Sequence, residues 1–235
     1  MGEREFVELV LRNPWVGEIV GRAGRLRLRD WYLAAGCLFQ TAWNVLDGRD
    51  PEHGIGDYDL IYHDPADLSW DAEDAVIRRC AAAFADLDLP DGVVVEVRNQ
   101  ARVHLWYEDH FGVPCPPLRS SAEAIDRYAA FACQVGLRVA EGSYEVYAPA
   151  GFDDLFGFVL RPNPLIAPRH VYETKAARWR SLWPRLTVLP WSEEADDGGA
   201  AQPSVEGEGG GAPPRPESGP KAAPRSFQSR SDSKG

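Results

Sequence analysis

Residues 33–64, LAAGCLFQTAWNVLDGRDPEHGIGDYDLIYHD, hold the pattern that decides the fold. The stretch predicts a strand that ends at Gly36, then a helix, a loop and a second strand that begins at Asp57. Asp57 and Asp59 are two positions apart on that strand, so their side chains point to the same face of the sheet. Two neighbouring carboxylates repel each other unless a cation neutralises them. The stretch therefore predicts a metal site.

The last part of the chain differs in composition from the rest. Residues 192–235 are rich in Gly, Pro, Ser, Ala and charge, and their only large apolar residues are Val205 and Phe227. Such a segment buries too little apolar surface to offset the entropy of ordering it, so we predict a disordered tail. Residues 1–191 suit one domain. Within it we expect N-terminal helices over 1–29, a catalytic core over 30–112 and a mainly helical C-terminal subdomain over 113–191.

The net charge narrows the range of partners. The tail has eight acids and five bases, so residues 1–191 carry −8 of the total charge of −11. Binding to a long tract of DNA depends on neutralising phosphates with Lys and Arg, and so acidic a body argues against it. A small anionic substrate stays possible because a bound divalent ion reverses the local sign of the potential.

The cysteines and the hydropathy pattern bear on the compartment. Four scattered cysteines show no CxxC spacing, which is typical of buried thiols in a reducing environment. The N-terminus lacks the apolar core of a signal peptide, and no apolar run approaches the ~20 residues of a membrane helix. We therefore expect a cytoplasmic protein without a membrane partner. The preference for Arg over Lys suggests a GC-rich bacterial genome.

Further along the chain, periodicity predicts alternating helices and strands. Val93 to Arg98, VVVEVR, is predicted as a strand with Glu96 in its middle. The order strand, helix, strand, helix, strand indicates an α/β or α+β fold. The remaining predicted elements are helices over 3–12, 14–24, 39–48, 69–84, 120–131, 152–160 and 172–183, and strands over 30–36, 57–62 and 144–147.

Glu96 is the third carboxylate of interest. If its strand lies beside the strand of Asp57 and Asp59, the three acids converge on one face. Oxygen ligands in that number suit Mg²⁺ or Mn²⁺, which take their remaining ligands from water and phosphate. Glycine at position 36 would let the backbone approach a phosphate closely. Alternatively, Glu96 forms a structural ion pair with Arg98 or Arg102.

These residues resemble those of a known superfamily. Gly36-Cys37, Asp57-Tyr58-Asp59 and Glu96 resemble the motifs of the polymerase-beta-type nucleotidyltransferases: a Gly-Ser pair opening a helix, a DxD or DxE on the next strand, and a third acid on a later strand. A bacterial nucleotidyltransferase-like family of largely unknown substrate resembles this chain in four longer segments: AGCLFQTAWN, PEHGIGDYDL, EVRNQARVHLWY and LTVLPW. That resemblance covers approximately residues 31–191.

The resemblance implies a polymerase-beta-like nucleotidyltransferase core, a small mixed sheet with helices packed on it. It also implies transfer of a nucleoside monophosphate from an NTP to an acceptor hydroxyl, with release of pyrophosphate. The resemblance leaves three classes of acceptor open: a small molecule, a protein and an RNA end. The implied roles by residue are metal binding by Asp57 and Asp59, a third ligand or base in Glu96, and nucleotide contact by Gly36, Cys37 and Arg98.

Two departures from the superfamily pattern leave other functions open. Cysteine stands at position 37 where serine is usual, and Asp57 follows Gly36 by 21 positions (57 − 36), more than the usual gap. A non-catalytic relative that binds a nucleotide or a partner is one alternative, and a metal-dependent phosphoesterase is another. For Lys175 and Arg178 a solvated helix face is favoured over contact with a triphosphate. Large aromatic residues, among them Trp43, Trp106 and Trp183, are predicted to pack in the core or a subdomain.

Overall fold

The computed structural model describes residues 2–165 and 167–191, so the predicted tail lies outside the described residues. Its helices are α1 Glu3–Val10, α2 Pro14–Ala23, α3 Gly36–Leu46, α4 Trp70–Phe84, α5 Tyr107–Phe111, α6 Ser121–Asp126, α7 Asp153–Phe156 and α8 Arg169–Leu182. Its strands are β1 Trp31–Ala34, β2 Asp57–Tyr62, β3 Val94–Asn99, β4 Gly136–Ala140, β5 Ser143–Tyr147, β6 Val159–Leu160 and β7 Thr187–Val188. Short 3₁₀ turns cover Gln100–Leu105 and Phe131–Cys133.

A five-stranded mixed sheet organises the domain, in the order β3-β2-β1-β4-β5. The strands β2 and β3 run parallel and are joined by the crossover helix α4, whereas the other neighbours are antiparallel. Asp59 lies between Ala34 on β1 and Glu96 on β3. The predicted class, a small mixed sheet with helices packed on it, is confirmed.

The two faces of the sheet carry different side chains because residues alternate along each strand. Leu33, Tyr58 and Leu60 point into the main core, which the N-terminal helices, α3 and α4 help to build. Tyr32 and Ile61 point the other way, into a smaller cluster under α6. Asp57 and Asp59 share the parity of Ile61, so they lie on the face that α6 covers.

Two tryptophans attach the C-terminal elements to α3. Trp43 Nε1 donates to the carbonyl of Leu155 on α7 at 3.0 Å, and Trp183 Nε1 donates to Asn44 Oδ1 at 2.7 Å. Both tryptophans are fully buried, and their rings are 5.6 Å apart. The prediction that these two residues pack in the core is confirmed.

The C-terminal part differs from the sequence-based expectation in three places. The predicted helix over 120–131 ends at Asp126, and that over 152–160 is only α7 followed by β6. The strand β4 was missed, and with β5 it joins the main sheet. Residues 113–191 therefore contain strands as well as helices, so the description of this part as mainly helical is too coarse.

The early end of α6 has a tertiary cause. The side-chain amide of Asn163 donates to the carbonyls of Asp126 and Tyr128, at 2.7 and 2.8 Å. Gln134 Nε2 donates to the carbonyl of Asp126 as well, at 2.6 Å. These bonds satisfy carbonyls that a longer helix would have used, and their donors are remote in sequence.

Asn13 joins the N-terminal helices to the elements that carry the acids. Its Oδ1 accepts from the backbone N–H of Trp15 at 3.0 Å, so it is the N-cap of α2 as its position before Pro14 predicts. Its Nδ2 donates to Thr41 Oγ1 on α3 at 3.2 Å and to the hydroxyl of Tyr58 on β2 at 3.0 Å. All three polar side chains are buried.

We expect Asn13→Ala to lower the free energy of unfolding by about 3 kcal/mol, because it removes a helix cap and leaves the buried Tyr58 hydroxyl without its partner. Urea unfolding followed by circular dichroism measures the change. The matched control is Glu8→Ala, which removes an exposed ion pair with Arg4 and is expected to cost less than about 0.5 kcal/mol. Equal losses in the two variants would contradict the structural role of Asn13.

Candidate active site

Three carboxylates meet on the face of the sheet beneath α6. The parallel register sets Glu96 on β3 directly beside Asp59 on β2, and Asp57 lies two residues earlier on the same strand. One oxygen from each of the three carboxylates lies within 4.8 Å of the others. Asp59 and Glu96 are buried, and Asp57 is half-buried. The predicted convergence of these acids is confirmed.

The donor set fits a small divalent cation. Burying like charges together is costly unless a positive charge compensates them. Three carboxylate oxygens at this spacing are hard ligands of the kind that Mg²⁺ and Mn²⁺ prefer, and an open side leaves room for water or phosphate. The chemistry of the cluster thus supports Asp57, Asp59 and Glu96 as ligands.

Glu96 also forms the ion pair that the sequence offered as an alternative. Arg98 Nη2 donates to Glu96 Oε1 at 2.7 Å. Arg102 pairs instead with the buried Glu73 of α4 and donates to the carbonyl of Leu68. The two interpretations of Glu96 are compatible, since a carboxylate accepts from a guanidinium at one oxygen while the other stays available.

Gly36 and Cys37, predicted together as phosphate contacts, have different surroundings. Gly36 opens α3 and lines the cavity described below, and a Cβ there would lie 2.6 Å from Gln40 Nε2. The thiol of Cys37 is fully buried in the main core and donates to the carbonyl of Ala34 at 3.3 Å. Burial raises the pKa of this thiol well above its usual value, and the charges of Asp59 and Asp57 raise it further. The side chain at position 37 therefore does not face the cavity.

The loop before Asp57, longer than in the superfamily pattern, is fixed to α3. Asn44 Nδ2 donates to the carbonyls of Pro51 and His53, at 3.1 and 2.8 Å. Gly54 has a φ of +74°, and a Cβ there would lie 3.2 Å from the ring of Trp183. Residues 54–57 line the cavity, so the extra length forms part of its wall.

A cavity of about 770 Å³ opens over the carboxylates. This volume lies in the upper part of the range of ~300–1,000 Å³ that is typical of ligand pockets. The walls come from the start of α3, the loop before Asp57, the chain between Arg98 and Phe111, α6 and one face of α8. Asp57, Asp59 and Arg98 line it, whereas Glu96 is not among the lining residues and forms an ion pair with Arg98.

The helix α8 supplies two basic residues for which the sequence favoured a solvated face over contact with a triphosphate. Lys175 and Arg178 line the cavity. Arg178 is exposed, in agreement with the predicted solvated face, whereas Lys175 is half-buried. Removal of its ammonium from water lowers the pKa of Lys175, Arg178 lowers it further, and the carboxylates of Asp59 and Asp57 act in the opposite direction. The available signal was that Lys175 is the only lysine among residues 1–191.

Two further residues of the cavity wall hold buried polar atoms. Gln40 Oε1 and Trp179 Nε1 have no hydrogen-bond partner among the residues that the structure describes. Buried polar atoms are normally paired with protein or water, so these two atoms are exceptions to the usual pairing.

The comparisons with known proteins agree with this geometry. A family described as nucleotidyltransferase matches residues 21–188. The chain belongs to this nucleotidyltransferase family. A solved structure titled as revealing a CCA-adding enzyme head domain is similar, with a TM-score of 0.62 and 25% identity, over 80% of this chain and 96% of that one. Comparison with curated proteins gives no match.

Family membership confirms the predicted superfamily and its transferase activity in general terms. The match spans the three carboxylates, α3, the loop before Asp57 and α8.

Within residues 2–165 and 167–191, none of the helices is both long and apolar enough to cross a membrane.

We expect Cys37→Ser to leave the affinity for an NTP with Mg²⁺ unchanged within about twofold, because the side chain at this position lies in the core. A serine hydroxyl can keep the bond to the Ala34 carbonyl. Isothermal calorimetry of the folded variant measures the affinity. The matched comparison is Gly36→Ala, whose Cβ would displace Gln40 and which is expected to weaken binding. A large loss for Cys37→Ser with native circular dichroism would place this side chain at the ligand.

Proposed function

We propose that the protein transfers a nucleoside monophosphate from an NTP to an acceptor hydroxyl, with Mg²⁺ or Mn²⁺ held by Asp57, Asp59 and Glu96. The observation that carries the proposal is the convergence of these carboxylates within 4.8 Å, with Asp57 and Asp59 in the wall of a ligand-sized cavity. Membership in a nucleotidyltransferase family supports the reaction class.

The triphosphate binds between the start of α3 and α8. Gly36 allows close approach to the first turn of α3, where backbone N–H groups and the helix dipole attract anions. Lys175 and Arg178 on α8 provide positive charge on the same wall of the cavity. Arg98 lies on the far side of the carboxylates, beside Glu96.

The reaction is an in-line displacement at the α-phosphorus. The acceptor oxygen forms the new bond to phosphorus, and the bond from that phosphorus to the oxygen bridging to the β-phosphate breaks. Pyrophosphate leaves with the electron pair, and the hydroxyl proton passes to the Glu96 carboxylate. When bound, a divalent ion supplies Lewis-acid stabilisation of the negative charge on the phosphate oxygens. Lys175 and Arg178 hold the charge that develops on the leaving pyrophosphate.

Cysteine in place of serine at position 37 was the observation that favoured a non-catalytic relative, and the surroundings of Cys37 weaken that argument. Cysteine in place of serine removes a hydroxyl, but the Cys37 side chain lies in the core and its Sγ is bonded to Ala34. The phosphate wall is formed by Gly36 and by side chains of α8.

We expect Asp57→Asn, Asp59→Asn and Glu96→Gln each to lower Mg²⁺-dependent transfer by about 10²-fold or more, because each removes a charge that holds the cation. The assay incubates the full chain with NTP labelled at the α-phosphate and a cell extract, and measures label on product and pyrophosphate released. The control is Asp91→Asn in the exposed turn before β3. Equal labelling by wild type and Asp57→Asn would refute the proposal. Release of orthophosphate without transfer would indicate a phosphoesterase instead.

We expect Lys175→Met to weaken NTP binding by about tenfold or more, because it removes a charge-assisted contact to phosphate. Isothermal calorimetry with a non-hydrolysable NTP and Mg²⁺ measures the effect. The control is Arg180→Met, an exposed residue of the same helix. Equal losses in both variants would show that only the overall charge of α8 matters.

A further inference from the structure

The in-line geometry of the proposed function locates the acceptor within the cavity. In such a displacement the attacking and leaving oxygens lie on opposite sides of phosphorus. The leaving pyrophosphate is held at the start of α3, which follows β1, and by Lys175 of α8. The sheet order β1-β2-β3 then puts the acceptor on the other side of the carboxylates, beside β3 and the chain that follows it.

On that side of the cavity, apolar and aromatic side chains alternate with polar ones from the same segment, residues 98–111. We call the apolar and aromatic group the acceptor lobe. We define it by Val103, Leu105, Trp106, Tyr107, Phe111 and Leu118, all of which line the cavity. Within it the rings of Tyr107 and Phe111 pack at 4.6 Å between centroids, and Trp106 stands 6.0 Å from Tyr107. Walls of this kind bind apolar and aromatic groups by excluding water from them.

The arginines near the acceptor lobe are already neutralised by the protein. Arg98 pairs with Glu96 at 2.7 Å, Arg127 pairs with Glu123 at 2.7 Å, and Arg102 pairs with Glu73. Asp109 adds a further acid to the wall. Recognition of a nucleic-acid backbone needs uncommitted positive charge, so this lobe is unsuited to an RNA end.

The mouth of the lobe exposes two large apolar side chains. Trp70 is 46% exposed and Leu105 is 52% exposed, and both line the cavity. Exposed apolar groups next to a pocket are typical of ligand-binding surfaces.

We propose that the acceptor is an uncharged, low-molecular-mass alcohol or phenol with an apolar or aromatic body, which binds in the acceptor lobe with its hydroxyl toward Glu96. This inference rests on the proposed function and names its substrate class. The apolar body contacts the rings of the lobe.

The first test measures binding of a probe, 2-(2-naphthyl)ethanol, to the full chain by isothermal calorimetry without NTP. We expect the double variant Trp70→Ser/Leu105→Ser to weaken this binding by about tenfold or more, since both side chains are partly exposed and their loss does not open the core. The matched control is Val94→Ser, which is 43% exposed on β3 and outside the cavity wall. Lys175→Met should leave probe binding unchanged.

Two results of this titration would overturn the inference. One is equal affinity of the wild type and the double variant for the probe. The other is displacement of the probe by a saturating non-hydrolysable NTP with Mg²⁺, which would assign the lobe to the nucleotide base.

The second test separates this inference from the proposed function. Cell extract is divided into small molecules, protein and RNA, and each fraction is offered with NTP labelled at the α-phosphate. Label in a small product that carries an apolar group supports the inference. Label on protein or RNA overturns it and leaves the proposed transferase standing. If no Mg²⁺-dependent NTP binding is found, the proposed function fails and this acceptor assignment fails with it.

Discussion

The parallel pairing of β2 with β3 is the constraint on which the site depends. It sets Asp59 beside Glu96, and a slip of one residue would turn Glu96 to the opposite face. The far ends of the two strands are fixed by Asn99. Its backbone N–H donates to the buried Glu73 of α4 at 2.9 Å, and its side chain exchanges two bonds with the backbone of Asp64, at 3.0 and 2.8 Å. The crossover helix thus sets the register as well as connecting the strands.

The charges around the carboxylates come from different parts of the chain. Arg98 lies two residues after Glu96 on the same strand, whereas Lys175 belongs to α8, more than a hundred positions after Asp57. Arg178 of the same helix also lines the cavity, so basic side chains from two remote segments bring positive charge towards the three acids. The three carboxylates and the basic side chains of α8 therefore influence one another's charge across the cavity.

The local parts of this site were predictable, and the remote parts were not. Asp57 and Asp59 share a face by the period of the strand, and the apolar strand around Glu96 indicated a neighbour, so the triad followed from sequence. The pattern of α8 gave only a weak signal, because Lys175 and Arg178 occupy positions typical of a solvated surface. Only the packing of α8, through Trp179 and Trp183 against Trp43, turns them into the cavity. The early end of α6 also has a tertiary cause, since Asn163 and Gln134 both donate to the carbonyl of Asp126.

Cys37 stands at the position where the superfamily pattern has a serine, and its side chain has a different environment from one that contacts phosphate. In this chain the residue after Gly36 belongs to the core, where its thiol meets the Ala34 carbonyl and the burial raises its pKa. A polar contact to phosphate from this side chain would require it to leave a fully buried position. The wall next to Gly36 instead contains Gln40 and the basic residues of α8, which supply an amide and two positive charges. Loss of the usual serine does not count against the proposed phosphate binding, because the proposal takes its positive charge from α8 and its close backbone approach from Gly36.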